Sequence, residues 1–293
     1  MTHTFRSLMF VPAHNERLMS SAGRSDADVL LLDIEDSVQP YKNKQVARNN
    51  IIDYVKSGKF DNYGVYPRVN DRESGELLKD VTQLTIDGVD GFTYPKAKKG
   101  EDIYFFGKLL ETIEYEKGYP IGHFKIIPLI ETTAAVLNIQ DICQACPNRV
   151  VAVAFGCEDF VTDLEGVHDA EGLSISYARS MIALGARANG VAPIDTVHIK
   201  VHDLEDLEKN LILAKKLGFE GSLVLNPKEL PLVHKYFTPS NEEIQKAEEM
   251  LVLSEEAKAK GQGVAVKNNV FIGPPMVAAA KKLLEKVKRI NKK

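Results

Sequence analysis

Charged side chains sit where short apolar runs give out: Asp33, Glu35 and Asp36 in LLLDIED, Arg68 in YPRVN, Glu131 in KIIPLIETT, and Glu158 and Asp159 in VAFGCED. An unpaired buried carboxylate is costly, so Glu131 must be paired, exposed at a rim, or bound to something. Glu131 and Asp159 close consecutive apolar runs, and no metal-type histidine cluster accompanies them. Such a pair suits a hard cation, above all Mg2+, which accepts one or two carboxylates and keeps other positions for water and substrate. Arg68 lies on a strand-like run rather than a surface helix, where its planar fork suits a carboxylate held by two parallel hydrogen bonds. Together these residue types point to an oxo-acid chelated through carboxylate and keto oxygens, with the metal as Lewis acid. The bland alternative pairs Glu131 with Arg68 and uses Asp159 to cap the next turn. Spacing leaves both open.

Positioning these groups requires a repeated scaffold. Strand-like runs fall at 7–12, 28–36, 64–70, 91–97, 124–131, 150–159, 195–201 and 221–227. Amphipathic stretches such as NKQVARNNIIDYVKSG, SISYARSMIALGARANG and DLEDLEKNLILAKKLG lie between them, and the last two end on glycine, the usual helix stop. Alternation of this kind predicts parallel βαβ units. Eight of them predict a (β/α)8 TIM barrel, an α/β fold. No G-x-G-x-x-G follows the first run, which disfavours a nucleotide-binding open sheet.

The barrel is predicted over residues 1–237. An extension over 238–293 carries NEEIQKAEEMLVLSEEAKAKG, the segment VAVKNNVFIG and PPMVAAAKKLLEKVKRI. In a barrel the polar residues after each strand line the site, which adds Lys96 and Asn226 as substrate-binding candidates. His198 and His202, on and after the seventh run, are read as structural. The Thr-Thr after Glu131 suits a helix start.

The bulk numbers exclude other classes. A formal net charge of −4 over 293 residues gives no electrostatic reason to expect nucleic acid or an anionic membrane. The basic tail KVKRINKK reads as a solvated helix end. No stretch approaches the ~20 apolar residues of a membrane span, and SLMFVPAHN is too short an apolar region for a signal peptide. Three cysteines fit a reducing cytoplasm rather than a disulfide framework. Cys143 and Cys146 form a lone CxxC without a second pair to complete a zinc site.

Read in order, SLMFVPAHNERL, DVLLLDIEDSV, YPRVN, IPLIETTAAVLN, VVAVAFGCEDFVTDL, YARSMIALGARANG followed by IDTVH, and LGFEGSLVLNP resemble the citrate lyase beta-subunit-like family of the HpcH/HpaI aldolase superfamily. The resemblance runs from about residue 6 to 285. It implies a TIM barrel with Mg2+ bound by Glu131 and Asp159, Arg68 holding the substrate carboxylate, and Glu35 and Asp36 as a catalytic cluster beside it. The implied reaction is carbon–carbon cleavage of a citryl-, malyl- or citramalyl-type thioester of coenzyme A or an acyl-carrier protein. The resemblance also implies a homo-oligomer, a trimer, whose C-terminal helices form a lid or subunit-swapped segment.

One departure stands out. Where relatives carry an aspartate in a G-K-M-V-D-x-P-like segment, this chain reads NNVFIGPP, with Ile272 at the aligned position. Isoleucine can neither transfer a proton nor orient water, which disfavours thioester hydrolysis and leaves the lyase step short of a proton-transferring group unless Asn268, Asn269 or another residue substitutes. The departure also motivates a rival expectation, a non-catalytic oxo-acid- or thioester-binding subunit. A free oxo-acid aldolase is the third.

Overall fold

The protein is described here from a computed structural model covering residues 4–169, 172–267 and 270–291. Eight short strands alternate with helices: β1 Ser7–Pro12, β2 Val29–Asp33, β3 Gly64–Val65, β4 Gly91–Tyr94, β5 Lys125–Ile130, β6 Ala152–Phe155, β7 Ala192–Asp195 and β8 Gly221–Val224. They form one parallel sheet in the order β3-β2-β1-β8-β7-β6-β5-β4. Strand neighbours follow chain order, as the alternation predicts. The interior fills with apolar side chains from successive strands, among them Leu8, Val29, Leu31, Ile127, Leu129, Ala154, Ile194 and Leu223. Burial of both faces explains why these runs are continuously apolar rather than alternating.

The ring closes through Arg68. Its backbone bridges Asp33 of β2 on one side and Thr93 of β4 on the other. The Arg68 N–H donates to Leu32 O at 3.0 Å, while Val69 N–H donates to Thr93 O at 3.2 Å. β3 itself is only Gly64–Val65, but hydrogen bonding to β2 continues through the Tyr66 N–H to Leu30 O at 3.0 Å, while Pro67, which has no N–H, only accepts, from the Thr93 N–H on the β4 side. The residue that completes the barrel therefore also presents its guanidinium beyond the strand ends.

The helices of this unit are α1 Glu16–Ala22, α2 Asn43–Lys56, α3 Leu77–Leu84, α4 Gly100–Lys117, α5 Thr133–Leu137, α6 Ile139–Gln144, α7 Cys157–Asp163, α8 Leu173–Ala188 and α9 Leu204–Leu217. Thr132 caps α5, its hydroxyl accepting the Ala135 N–H at 3.1 Å, as the Thr-Thr predicts. Gly218 ends α9 with φ +93°, the left-handed conformation expected of a glycine stop.

Two strand assignments need correction. The seventh strand is Ala192–Asp195, not 195–201. The β-branched TVHIKV has strand composition but follows the strand as a loop, and the true strand includes Pro193, which the sequence pattern passes over. The sixth strand stops at Phe155, so Glu158 and Asp159 lie in the first turn of α7 rather than at a strand end.

Contacts divide the chain into two compact units, with Phe5–His234 as the barrel and the second unit running from Lys235. The division falls inside α10, Leu230–Phe237. In the second unit α11, Asn241–Ala259, starts with a capping box between Ser240 and Glu243. It packs with α12, Pro274–Ile290, and between them lies a hairpin of β9, Ala265–Lys267, and β10, Val270–Ile272. Ile272 is buried and pairs with Ala265. Asn268 and Asn269 lie outside the described residues. No described helix is long and apolar enough to cross a membrane.

Candidate active site

The last residue of β2 organises the strand ends. Asp33 receives Arg68 Nε at 2.6 Å and Arg68 Nη2 at 2.8 Å, a two-pronged ion pair. It also accepts the Glu35 N–H at 2.9 Å and the Ser37 hydroxyl. Burial raises the Asp33 carboxyl, but Arg68 and the remaining donors override it, so it lies below its ordinary value and stays ionised. The third guanidinium nitrogen, Arg68 Nη1, faces Glu35 Oε2 at 3.1 Å and Asp36 Oδ2 at 3.2 Å. The ring of Phe10 lies 4.9 Å from the Arg68 guanidinium carbon and supports it by a cation–π contact.

Lys96 joins this cluster to Glu131. Its Nζ lies 2.7 Å from Glu35 Oε1, and its backbone N–H donates to Glu131 Oε1 at 2.5 Å. Lys96 adopts φ +55°, uncommon for a non-glycine residue. The turn after β4 thus aims one residue's backbone at one carboxylate and its side chain at another.

Three carboxyl groups are displaced from their ordinary behaviour. Burial, with added repulsion from Asp36, pushes Glu35 up to about 8 against the opposing pull of Arg68 and Lys96. Burial pushes Glu131 up to about 7, with Asp159 adding to the rise and the Lys96 N–H opposing it. Asp159 is raised by burial and by the charge of Asp36. Glu131 and Asp159 repel one another, and a cation between them would relieve that repulsion.

The donor set fits Mg2+. Mg2+ takes one or two carboxylates and keeps other positions for water and substrate, and among the described residues no group of three or more His, Cys, Asp or Glu side chains is placed to hold a metal. Gly156, the residue before α7, provides the room: a Cβ there would stand 2.8 Å from Glu131 Cβ and 2.9 Å from Glu131 Oε2. Gly156→Ala is therefore expected to displace the Glu131 carboxylate and weaken Mg2+ binding by about 10-fold. Calorimetric Mg2+ titration checks this, and unchanged affinity would remove Gly156 from the cradle.

Of the sequence-predicted residues, Glu35, Asp36, Arg68 and Lys96 meet in one ion-paired cluster, joined to Glu131 through Lys96. Neither half of the bland alternative appears among the described residues: Arg68 pairs with Asp33, Glu35 and Asp36, and α7 begins without a side-chain cap. Asn226 is placed differently. Its side chain accepts the Lys228 N–H at 3.0 Å, capping a short helical turn. Asp33 was legible in DIED but not as the arginine's principal partner, because sequence does not say which of three acids turns inward. Nothing in the sequence marks Gly156.

A cavity of about 350 Å3 lies beside the first turn of α7, lined by Glu158, His168, Arg179, Asp195 and His198 among others. Arg68, Glu131 and Asp159 are not part of its lining. His198 is buried and contacts Asp206 at 3.1 Å, consistent with a structural role.

A family model for HpcH/HpaI aldolase/citrate lyase matches residues 6–227. The chain belongs to this family. Over 283 residues it is 30% identical to the citrate lyase subunit beta of Haemophilus influenzae, spanning 97% of each protein. It is 28% identical over 281 residues to the L-malyl-CoA/beta-methylmalyl-CoA lyase of Rhodobacter capsulatus, spanning 89% of this chain and 87% of that one. Among solved structures it resembles the citrate lyase beta subunit from M. tuberculosis complexed with oxaloacetate and magnesium. The TM-score is 0.66 at 25% identity, covering 80% of this chain and 98% of that one. Family membership accounts for the barrel.

Proposed function

We propose that this protein is a Mg2+-dependent carbon–carbon lyase that cleaves a hydroxyacyl thioester into an oxo-acid and an acyl thioester. The observation that carries the reading is the linkage, through Lys96, of the buried carboxylate Glu131 to the Arg68–Glu35 cluster at the strand ends of a barrel of this family. The relatives named as citrate lyase beta subunits and malyl-CoA lyases support the reaction class, and the magnesium and oxaloacetate of the related structure support the cofactor.

Glu131 and Asp159 would hold the cation. When bound there, it supplies Lewis-acid polarisation of the substrate's oxygens. Arg68, fixed by Asp33 on two of its nitrogens, offers positive charge to the substrate carboxylate from Nη1, where Asp36 is the exposed and displaceable partner. Lys96 adds a second cation at the same place.

Glu35 is the proton acceptor. In its ionised form it takes the substrate hydroxyl proton. The carbon–oxygen bond becomes a carbonyl, the adjacent carbon–carbon bond breaks, and its electron pair passes to the thioester as an enolate. A water molecule delivers a proton to the enolate carbon, completing the acyl thioester, and the hydroxide it leaves takes up the proton held by Glu35. A carboxyl held at about 8 can exchange protons near neutrality, as a catalytic base requires.

The experiment offers citryl-, malyl- and citramalyl-CoA separately, then the acyl-carrier-protein forms, and follows oxo-acid release with and without EDTA. Metal-dependent release from one of them is expected. Silence on all, with Mg2+-dependent oxo-acid binding intact, would overturn the lyase in favour of a binding subunit.

We further propose residues 1–237 as the catalytic barrel and 238–293 as its extension, in a cytoplasmic homotrimer. Support comes from the family resemblance and from three cysteines that are all free. Sedimentation velocity reads the assembly, and a monomer would sink it.

A further inference from the structure

We infer that Lys44, outside the substrate-contacting set, is a positioning residue that holds Glu35 in its catalytic geometry; this rests on the lyase reading of Glu35. Lys44 occupies the first turn of α2, where the helix dipole disfavours a cation. It is nevertheless buried at 7% exposure, and burial lowers its basicity. An ammonium in such a place must be compensated by acceptors.

The compensation is specific. Lys44 Nζ donates to Ile34 O at 2.8 Å, to Glu35 O at 2.7 Å and to Asn70 Oδ1 at 2.7 Å. An ammonium has three protons, and all three are used. Two bonds fix the backbone on which the Glu35 side chain is mounted. The third fixes Asn70, two residues after Arg68.

Asn70 is itself locked. Its backbone N–H and side-chain amide both donate to Asp80 Oδ2, at 2.8 and 2.7 Å. Asp80 Oδ1 in turn receives Arg48 Nε at 2.7 Å. Lys44 thus staples the loop after β2 to the segment after Arg68, so that the Glu35 carboxylate meets Arg68 Nη1 and Lys96 Nζ at fixed places. Its charge also faces Asp33, Glu35, Asp80 and Asp36, and it partly offsets their mutual repulsion. Neither Glu131 nor Asp159 touches it among the described contacts.

Lys44→Met keeps an unbranched chain one atom shorter and removes the donors. A double-mutant cycle with Glu35→Gln separates positioning from general structure. We expect Lys44→Met to lower kcat about 30-fold in the native background and less than 3-fold when Glu35 is already Gln. Calorimetric binding of Mg2+ with oxaloacetate should stay within about 3-fold of native. Equal losses of kcat in both backgrounds would overturn the proposal, as would a collapse of binding in step with kcat.

A second readout needs no turnover. Infrared difference titration follows the buried Glu35 carboxyl, identified by the band that Glu35→Gln removes. Losing the nearby ammonium should move that titration upward by about one pH unit. An unmoved titration would overturn the role of Lys44 even if native protein cleaves no thioester, whereas a moved titration without native turnover would overturn the lyase alone. Should Lys44→Met not fold, Lys44→Gln, which keeps one shorter donor, enters the same measurements with the same expected directions.

Discussion

Glu131→Gln is expected to abolish Mg2+-dependent oxo-acid binding while making the metal-free protein more stable at alkaline pH, not less. The loss of binding should exceed the roughly 10–100-fold that disturbing an outer-shell partner costs, because a ligand is removed. Glutamine keeps the shape and can still accept the Lys96 N–H, so the barrel is retained. The stability effect follows from the buried charge. The Glu131 carboxyl lies at about 7 against an ordinary 4.5. Between those values the folded protein binds more protons than the unfolded chain, so stability falls as pH rises through the window and the deficit is complete above about 7.

At 1.36 kcal/mol per unit the deficit is on the order of 3 kcal/mol. The neutral amide escapes it. Thermal unfolding at pH 8 without metal should therefore favour the variant, and the gap should close toward pH 5. Adding Mg2+ should raise the midpoint of the native protein alone, by mass action on the folded state. Oxo-acid binding within 3-fold of native would remove Glu131 from the metal site. A variant less stable at both pH values would contradict the buried-charge account.

Glu35→Gln is expected to lower kcat by about 10²–10⁴-fold with little change in KM, the range typical of removing a positioned general base. The amide cannot accept the hydroxyl proton. A second consequence concerns pH. Glu35 acts ionised, and its carboxyl lies at about 8 in the metal-free protein. Native kcat should therefore rise as pH rises through a limb set by Glu35 ionisation, which bound Mg2+ shifts down by adding positive charge nearby and the bound substrate carboxylate shifts up. The variant should lose this limb and show a flat, residual rate. A variant within tenfold of native that retains the limb would transfer the base to another residue, with Asp36 next to be tested.

Much of the architecture is legible in the sequence. The eight apolar runs, the glycine stops and the Thr132 cap are local signals, and each is carried by residues close in sequence. Failures occurred where composition and pairing part company. TVHIKV has the β-branched content of a strand, yet the buried, paired segment is the proline-containing APID just before it. The apolar pattern puts Asp159 at a strand end, whereas the strand stops at Phe155 and a helix takes over.

Glu131, Asp159 and Arg68 were visible because burial makes a charge after an apolar run conspicuous. Lys44 and Gly156 were invisible for the opposite reason. A lysine early in an amphipathic helix looks solvated, and a glycine before a helix looks like an ordinary turn.

The sequence by itself determined the class of chemistry and the scaffold. Carboxylates and an arginine at the ends of apolar runs follow from residue type and period, and the ordered motifs point to a family. Tertiary structure decided which charges meet. Asp33, not a substrate, already holds two of the arginine's nitrogens, and Lys96 reaches Glu131 through its backbone and Glu35 through its side chain. Those pairings join residues tens of positions apart. Their strengths depend on how far each group is withdrawn from water, and no local pattern encodes that.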